Sequence, residues 1–438
     1  MLSKIKESIL LGLVFPLADK VMGTCAMKWY RQIKRMNSWT SQEIRDWQTD
    51  QIQKLIAHVY NHTRYYREVM DGLGLKPQDI KTLDDFQKLP VLTRDIIKKR
   101  FEDLIPDNID LYPHRNCATG GSTGEPIKYL CGESTWGFVT AMKIFSWQQC
   151  GYHYGDRFVS LGCSSLFPVN KKSLVSEIYF RLRNTIPLNG MNMDDETCAR
   201  YMEIIRKKNV RFIYGYATAI YLLAKYCRDN HVSWQFRAVF PSSEKLTPLY
   251  RQIISETWDA PVFDCYGSRD GGNTAYELEP GIYHVGYATW FEASDKEPST
   301  LYSTNLIDFS FPTIRYANCD EVLMWNHSVK SRYNGQLLKE VIGRTSDIIS
   351  FENGHRLTTT GFGIMFRGFN VESFRIKKNG PMSILVQIKK KDTFSDEEHD
   401  LLYATMKKHV GEGVDVIIES VDKFEPLPNG KRSFFINA

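Results

Sequence analysis

Between residues 157 and 267 short apolar runs alternate with helical ones, and nothing else in the sequence restricts the fold as much. Arg157-Phe-Val-Ser-Leu-Gly, Val210-Arg-Phe-Ile-Tyr-Gly, Ala238-Val-Phe and Pro261-Val-Phe-Asp-Cys-Tyr-Gly read as buried strands. Glu196 to Lys208, Ala217 to Asn230 and Thr247 to Thr257 lie between them with helical spacing. Strand–helix alternation predicts a mostly parallel sheet covered by helices, an α/β arrangement. From Gly281 to Trp325 strands dominate, which predicts a β-rich annex.

The flanks differ. The first hundred residues read as helices. Glu43 to Tyr60 carries Ile44, Trp47, Ile52, Leu55, Ile56 and Val59 near a 3.6-residue period, with Ser41 as start signal. Thr93 is the expected N-cap of the helix after Lys88-Leu-Pro-Val-Leu. Near the other end, Ser373 to Lys378 and Ser383 to Ile388 read as a hairpin turning at Asn379-Gly380. Ser395 to His409 is a helix whose acidic start suits its positive end, and Val414 to Ser420 is a strand. A chain of 438 residues has room for two or three domains. The expected division is a large N-terminal sheet-and-helix domain, 1–342, helical over about residues 1–110, and a small mobile α+β domain, 343–438.

The composition excludes several classes. Lys and Arg number 56 against 51 Asp and Glu, so the net charge is +5, too dilute to predict nucleic-acid binding. A hydrophobic content of 42% with 24% charged residues excludes a disordered chain. The nine cysteines form no C-x-x-C pair, which predicts reduced thiols and a cytoplasmic location. Ile9 to Ala18 is apolar but far short of the roughly 20 residues of a membrane span. Lys4 and Lys6 before it imitate a signal peptide, yet Asp19 and Lys20 follow directly and no A-x-A site appears. An amphipathic N-terminal helix packed on the body is expected, with peripheral contact at the inner membrane face as the alternative.

Five segments carry candidate chemistry. Thr119-Gly-Gly-Ser-Thr-Gly-Glu-Pro-Ile-Lys128 offers backbone N–H groups and hydroxyls to an anion; it is not a Walker A loop, and such a run is otherwise a plain turn. Cys265-Tyr-Gly-Ser-Arg-Asp270 follows an apolar strand, where ligands of open sheets gather and an acid can hold Mg²⁺ beside phosphates. Pro312-Thr-Ile-Arg-Tyr-Ala-Asn-Cys-Asp320 and Gly343-Arg-Thr-Ser-Asp347 each pair an arginine with an acid, suited to phosphate and ribose. Pro428-Asn-Gly-Lys431 presents one lysine on a turn. His58 and His62 are spaced as metal ligands can be but lack a third partner, and Tyr60, Tyr65 and Tyr66 read as packing residues.

In this order and spacing the segments resemble the adenylate-forming superfamily, and within it the phenylacetate–coenzyme A ligase and CapK-type branch. Leu55-Ile-Ala-His-Val-Tyr-Asn-His-Thr-Arg-Tyr-Tyr-Arg67 and Leu89-Pro-Val-Leu-Thr93 fit that branch too. The resemblance implies AMP-forming activation of a small carboxylate with ATP and Mg²⁺, then transfer to coenzyme A, or to a sugar or amine in polysaccharide assembly. A non-catalytic nucleotide-binding protein is the reading from a different class, and a homodimer is compatible with all three. Ser122, Thr123 and Gly124 would lie in the phosphate loop. Ser243 and Glu244 match a G-x-E motif on the adenine side, with Ser242 at the usual glycine. Tyr266 and Gly267 match Y-G-x-[TS]-E, Asp270 would place Mg²⁺, and Asp320 would bind ribose. Arg344 belongs to the interdomain motif, and Lys431 matches the catalytic lysine. The chain departs from the pattern at Arg269 (usually Thr or Ser), at Asp270 (usually Glu), at Ala317-Asn-Cys before Asp320, and at Ser346, the usual hinge position.

Overall fold

The structure is a computed structural model. It describes residues 2–118, 127–162, 181, 183–191, 193–268, 270–293, 299–325, 329, 331, 333–342, 348–352, 356–358, 365–411, 413–424 and 435–436. The chain forms two compact units. The first comprises Met1–Thr119, Ile127–Gly155 and Phe263–Gly343; Asp156–Val262 and Arg344–Ala438 belong to the second.

The second unit contains the predicted parallel sheet. Strands Thr185–Asn189, Phe158–Gly162, Phe212–Tyr216 and Ala238–Ser242 lie side by side in that order, each pair parallel. Phe158–Gly162 and Ala238–Ser242 are buried throughout, as strands covered on both faces must be. The strands approach so closely that a Cβ on Gly215 would sit 2.0 Å from the Leu161 carbonyl oxygen. Helices Asp195–Lys207, Ala217–Asp229 and Pro248–Trp258 connect and cover them. Asp194 and Thr247 cap the first and third by accepting from the N–H three residues on. Strand Thr185–Asn189 lacks a strand signal in its sequence, Thr-Ile-Pro-Leu-Asn, whose proline an edge position tolerates.

The C-terminal segment adds a sheet ordered Asp415–Ser420, Ser383–Lys390, Val371–Gly380, Phe435–Ile436, with helix Asp396–Val410. Ser395 and Glu398 form a capping box at that helix. The hairpin exists, but its turn is not Asn379-Gly380. Gly380 pairs with Ser383 after a register shift, so Pro381 and Met382 make the bend. Proline's missing N–H and fixed φ suit that bend.

The first unit holds the β-rich annex. Thr289–Ala293, Ser299–Asn305, Tyr316–Met324, Leu337–Val341, Ile282–Val285, Asn273–Glu279 and Cys265–Ser268 follow one another as antiparallel neighbours. Leu92–Thr93 adds a short parallel pairing to Tyr316–Ala317. Helices Leu2–Ile9, Phe15–Met22, Ala26–Met36, Ser41–His62 and Arg64–Gly72 make the N-terminal layer. Ser41 is not the cap of its helix. Thr40 is, because a capping box needs the hydroxyl three residues before Glu43, and both of its hydrogen bonds are present. Tyr65 and Tyr66 are buried in the core of this unit.

Candidate active site

Two residues that the sequence separates by 54 positions meet in the first unit. The Tyr266 hydroxyl donates to Asp320 Oδ2 at 2.8 Å. Asn318 joins them: its Nδ2 donates to the same carboxylate oxygen at 2.9 Å and to the Tyr266 oxygen at 3.0 Å, while its Oδ1 accepts from the Asp320 N–H. These residues sit on two strands of one sheet that three others separate in its order. Cys265–Ser268 carries the tyrosine, and Tyr316–Met324 carries the asparagine and aspartate on alternate positions of one face. Asp320 thus lies within a strand. Burial, and then the neighbouring Asp320 charge, push the Tyr266 phenol well above its ordinary pKa; Asp270 adds to the effect. The phenol therefore stays protonated and keeps donating. A carboxylate offers about four acceptor positions, so one oriented this way can still receive ribose hydroxyls.

Asp270 is held on three sides. The Ser268 hydroxyl donates to Oδ1, Tyr316 Oη donates to Oδ2 at 2.7 Å, and Arg94 Nη1 lies 3.9 Å from Oδ2. Arg94 and Asp270 side chains are 14% and 10% exposed, so this pair is shielded from bulk water. The parallel pairing of Leu92 with Tyr316 and Thr93 with Ala317 delivers Arg94, and Thr93 starts its helix as expected by accepting from Ile96 N. No local signal marks such a residue, because its position is fixed by a partner more than two hundred positions away. Tyr66 helps hold that partner segment: its hydroxyl donates to Pro312 O and accepts from Ile314 N.

The turn after Asp270 is Gly271-Gly272. Gly272 has φ +62°, and a Cβ there would lie 2.4 Å from both Asn305 Nδ2 and Thr135 Cγ2. Only glycine suits such a corner. Gly267 is exposed, with just ordinary contact near its Cα, which leaves its surface open to a flat ring.

In the second unit Ser243 adopts φ +68° directly after strand Ala238–Ser242. The kink turns the nearly buried Glu244 back so that Oε2 accepts from Thr218 N at 2.8 Å. Tyr216 gives helix Ala217–Asp229 no side-chain cap, and Glu244 supplies one from a distance.

Arg315, which the sequence could also place on phosphate, has a structural role. It pairs with Glu292 at 3.1 Å and donates to Leu89 O, with φ +51°. Burial raises the Glu292 pKa, and the guanidinium opposes that rise. His58 Nε2 contacts Phe309 O, and His62 Nδ1 contacts Asp107. Among the described residues no group of three or more His, Cys, Asp or Glu could hold a metal ion. A lone Asp270 with hydroxyl neighbours still fits Mg²⁺, which keeps several waters and takes one or two carboxylates plus phosphates.

Ser122, Thr123, Gly124, Arg344 and Lys431 lie outside the described residues, as do Arg269 and Ser346. Strands His114–Ala118 and Lys128–Gly132, which flank the glycine-rich segment, pair antiparallel from His114–Gly132 to Ala118–Lys128.

No protein-family model matches the chain. Protein CapK of Staphylococcus aureus is 23% identical over 418 residues, 93% of this chain and 92% of that protein. A phenylacetate–coenzyme A ligase of Aromatoleum evansii is 27% identical over 109 residues, 23% of this chain and 24% of that one. Among solved structures, a 2-hydroxyisobutyryl-CoA ligase in the postadenylation state with 2-HIB-AMP superimposes with a TM-score of 0.57 at 17% identity, covering 92% of both chains. The same enzyme with 2-HIB-AMP and CoA in its thioesterification state gives 0.55 at 16% identity, also over 92% of both chains. The fold is therefore that of the adenylate-forming CoA ligases. Along nearly its whole length the chain also resembles CapK, and over about a quarter of it the phenylacetate–coenzyme A ligase.

Proposed function

We propose that the protein activates a small carboxylate with ATP and passes the acyl group to coenzyme A. The observation that carries this reading is the Tyr266–Asn318–Asp320 cluster beside Asp270, within a chain related to CapK over 93% of its length. A carboxylate oxygen of the substrate attacks the α-phosphorus, the bond to the β-phosphate oxygen breaks, and pyrophosphate leaves. The coenzyme A thiolate then attacks the acyl carbon and AMP leaves. The substrate supplies its own nucleophile, so the protein's share is positioning and charge neutralisation.

In this reading Asp320 receives the ribose hydroxyls, oriented by Tyr266 and Asn318, and the exposed Gly267 lies against adenine. Ser122, Thr123 and Gly124 cradle the phosphates, and Lys431 offsets charge between carboxylate and α-phosphate. Asp270, steadied by Ser268, Tyr316 and Arg94, would hold Mg²⁺, whose charge would neutralise the phosphates. Ser243 and Glu244 shape the adenine side by fixing the start of helix Ala217–Asp229. Arg344 belongs to the joint between a large domain, 1–342, and a small mobile domain, 343–438. Such an enzyme works in the cytoplasm, alone or as a homodimer, with its N-terminal helix touching the inner membrane face.

ATP–pyrophosphate exchange over a panel of carboxylates tests the proposal. Exchange that depends on one carboxylate class supports it; ATP binding without exchange for any of them means a non-catalytic nucleotide-binding protein. A second reading keeps adenylation and makes the acceptor a sugar or amine, which the length of the CapK relationship favours. AMP release that coenzyme A fails to accelerate would select it.

A further inference from the structure

Ile5, Ile9, Leu13 and Leu17 are 52%, 54%, 69% and 61% exposed. They stand four residues apart along Leu2–Ile9, the π-helical turn Leu10–Val14 and Phe15–Met22. On an α-helix each four-residue step drifts about 40° around the axis. A wider π turn counters that drift, so the four side chains keep to one side. The opposite side is fixed to the body of the first unit. Leu10 and Phe15 are buried, and the Phe15 ring meets Tyr154 edge-on at 4.6 Å. Lys6 Nζ donates to Gly155 O at 2.7 Å, and Glu7 accepts from Tyr154 N at 2.7 Å and pairs with His153 at 2.9 Å. The apolar stripe is thus the outer face of a helix whose orientation is already set.

The sequence around it is basic. The first 40 residues contain Lys4, Lys6, Lys20, Lys28, Arg31, Lys34 and Arg35 against only Glu7 and Asp19. Both acids are engaged: Glu7 as above, and Asp19 by Thr24 Oγ1 and Met27 N, each at 2.6 Å. Lys28, Arg31, Lys34 and Arg35 are exposed on helix Ala26–Met36, which has no acid in its sequence. Among the described residues none of these four has a carboxylate at ion-pair distance. A second copy pairing stripe to stripe would bring like charges together. An anionic bilayer takes both features at once, with apolar side chains at the headgroup boundary and cations among lipid phosphates. No helix among the described residues is long and apolar enough to cross a membrane, so the arm would lie on the surface.

We infer that residues 2–36 form a monotopic anchor that docks the protein on an anionic membrane surface. The inference gives the membrane contact proposed above its residues and its lipid class, and it does not depend on adenylation. The full chain, without ATP, is sedimented with vesicles of phosphatidylcholine alone or mixed with phosphatidylglycerol. It should pellet with the mixed vesicles, and raising salt from about 0.1 M to about 1 M should release most of it as the Debye length falls from about 10 to 3 Å. Leu13→Glu with Leu17→Glu, both at exposed positions, should cut partitioning tenfold or more at unchanged circular dichroism. Arg31→Glu with Lys34→Glu should do the same for the mixed vesicles. Failure of the wild type to pellet, or equal pelleting of the variants, overturns the anchor. So does a dimer that Leu13→Glu dissolves in a protein that ignores vesicles. Full pyrophosphate exchange without vesicle binding sinks the anchor alone, and the converse sinks only adenylation.

Discussion

The Tyr266 hydroxyl is a single donor whose removal separates binding from folding. Tyr266→Phe keeps the partly buried ring and deletes one hydrogen bond to a carboxylate, an interaction of about 1.5–3 kcal/mol. Asn318 remains, so Asp320 keeps an orienting partner. The expected outcome is a roughly tenfold rise in KM for ATP with kcat less affected, read by pyrophosphate exchange. Asp270→Asn retains the shape but not the charge that a hard cation prefers. It should weaken Mg²⁺-dependent adenylation more than metal-free ATP binding; equal losses would make Asp270 a structural partner of Arg94 and Tyr316. Lys431→Ala should cost about 10²–10³-fold in exchange, the usual loss for one donor at a developing charge. A chemically made acyl adenylate should still react with the acceptor if, as proposed, Lys431 serves the first half-reaction only. Wild-type exchange in that variant would return Lys431 to a surface turn.

At the level of elements, Glu244 and helix Ala217–Asp229 form a dependent pair. Glu244→Ala removes the carboxylate that accepts from Thr218 N, at a helix without its own cap. The loss should be about 1–2 kcal/mol, measured as a fall in the denaturant midpoint at constant slope. Glu244→Gln should fall between, since it retains an acceptor without the charge. The helices were legible because caps are local: Thr93, Thr247 and Ser395 sit where short-range chemistry requires a hydroxyl. Ser41 misled because a neighbouring threonine serves the same box. Asn379-Gly380 misled because a register shift, set by pairing across the whole hairpin, moved the bend to Pro381.

For the whole molecule, the hinge position that the resemblance puts at Ser346 follows closely on a strand, Leu337–Val341. Leu338 is fully buried and pairs with Tyr283 and Met324. A joint must begin after Val341, where the strand ends. Limited proteolysis should therefore cut between 342 and 347, not at Leu338, and should slow when ATP and the carboxylate are both present. An unchanged rate, with ligand binding confirmed separately, would argue against closure of a small domain, 343–438.

The sequence by itself determined the parallel strands and their covering helices, because continuous apolar runs and 3.6-residue stripes are local consequences of burial. It also marked Tyr266, Asp270 and Asp320 as polar groups at or near strands, through residue order alone. It could not join them. That Tyr266 meets both Asp320 and Asn318, that Arg94 arrives beside Asp270, and that Arg315 turns away to Glu292 all depend on which distant segments pack together. Strand neighbours are chosen by packing between segments tens to hundreds of residues apart, and no window along the chain records that choice. The exposed stripe of the N-terminal arm has the same origin. The sequence shows an apolar run, and only the contacts of Leu10 and Phe15 with the body decide that Leu13 and Leu17 face outward.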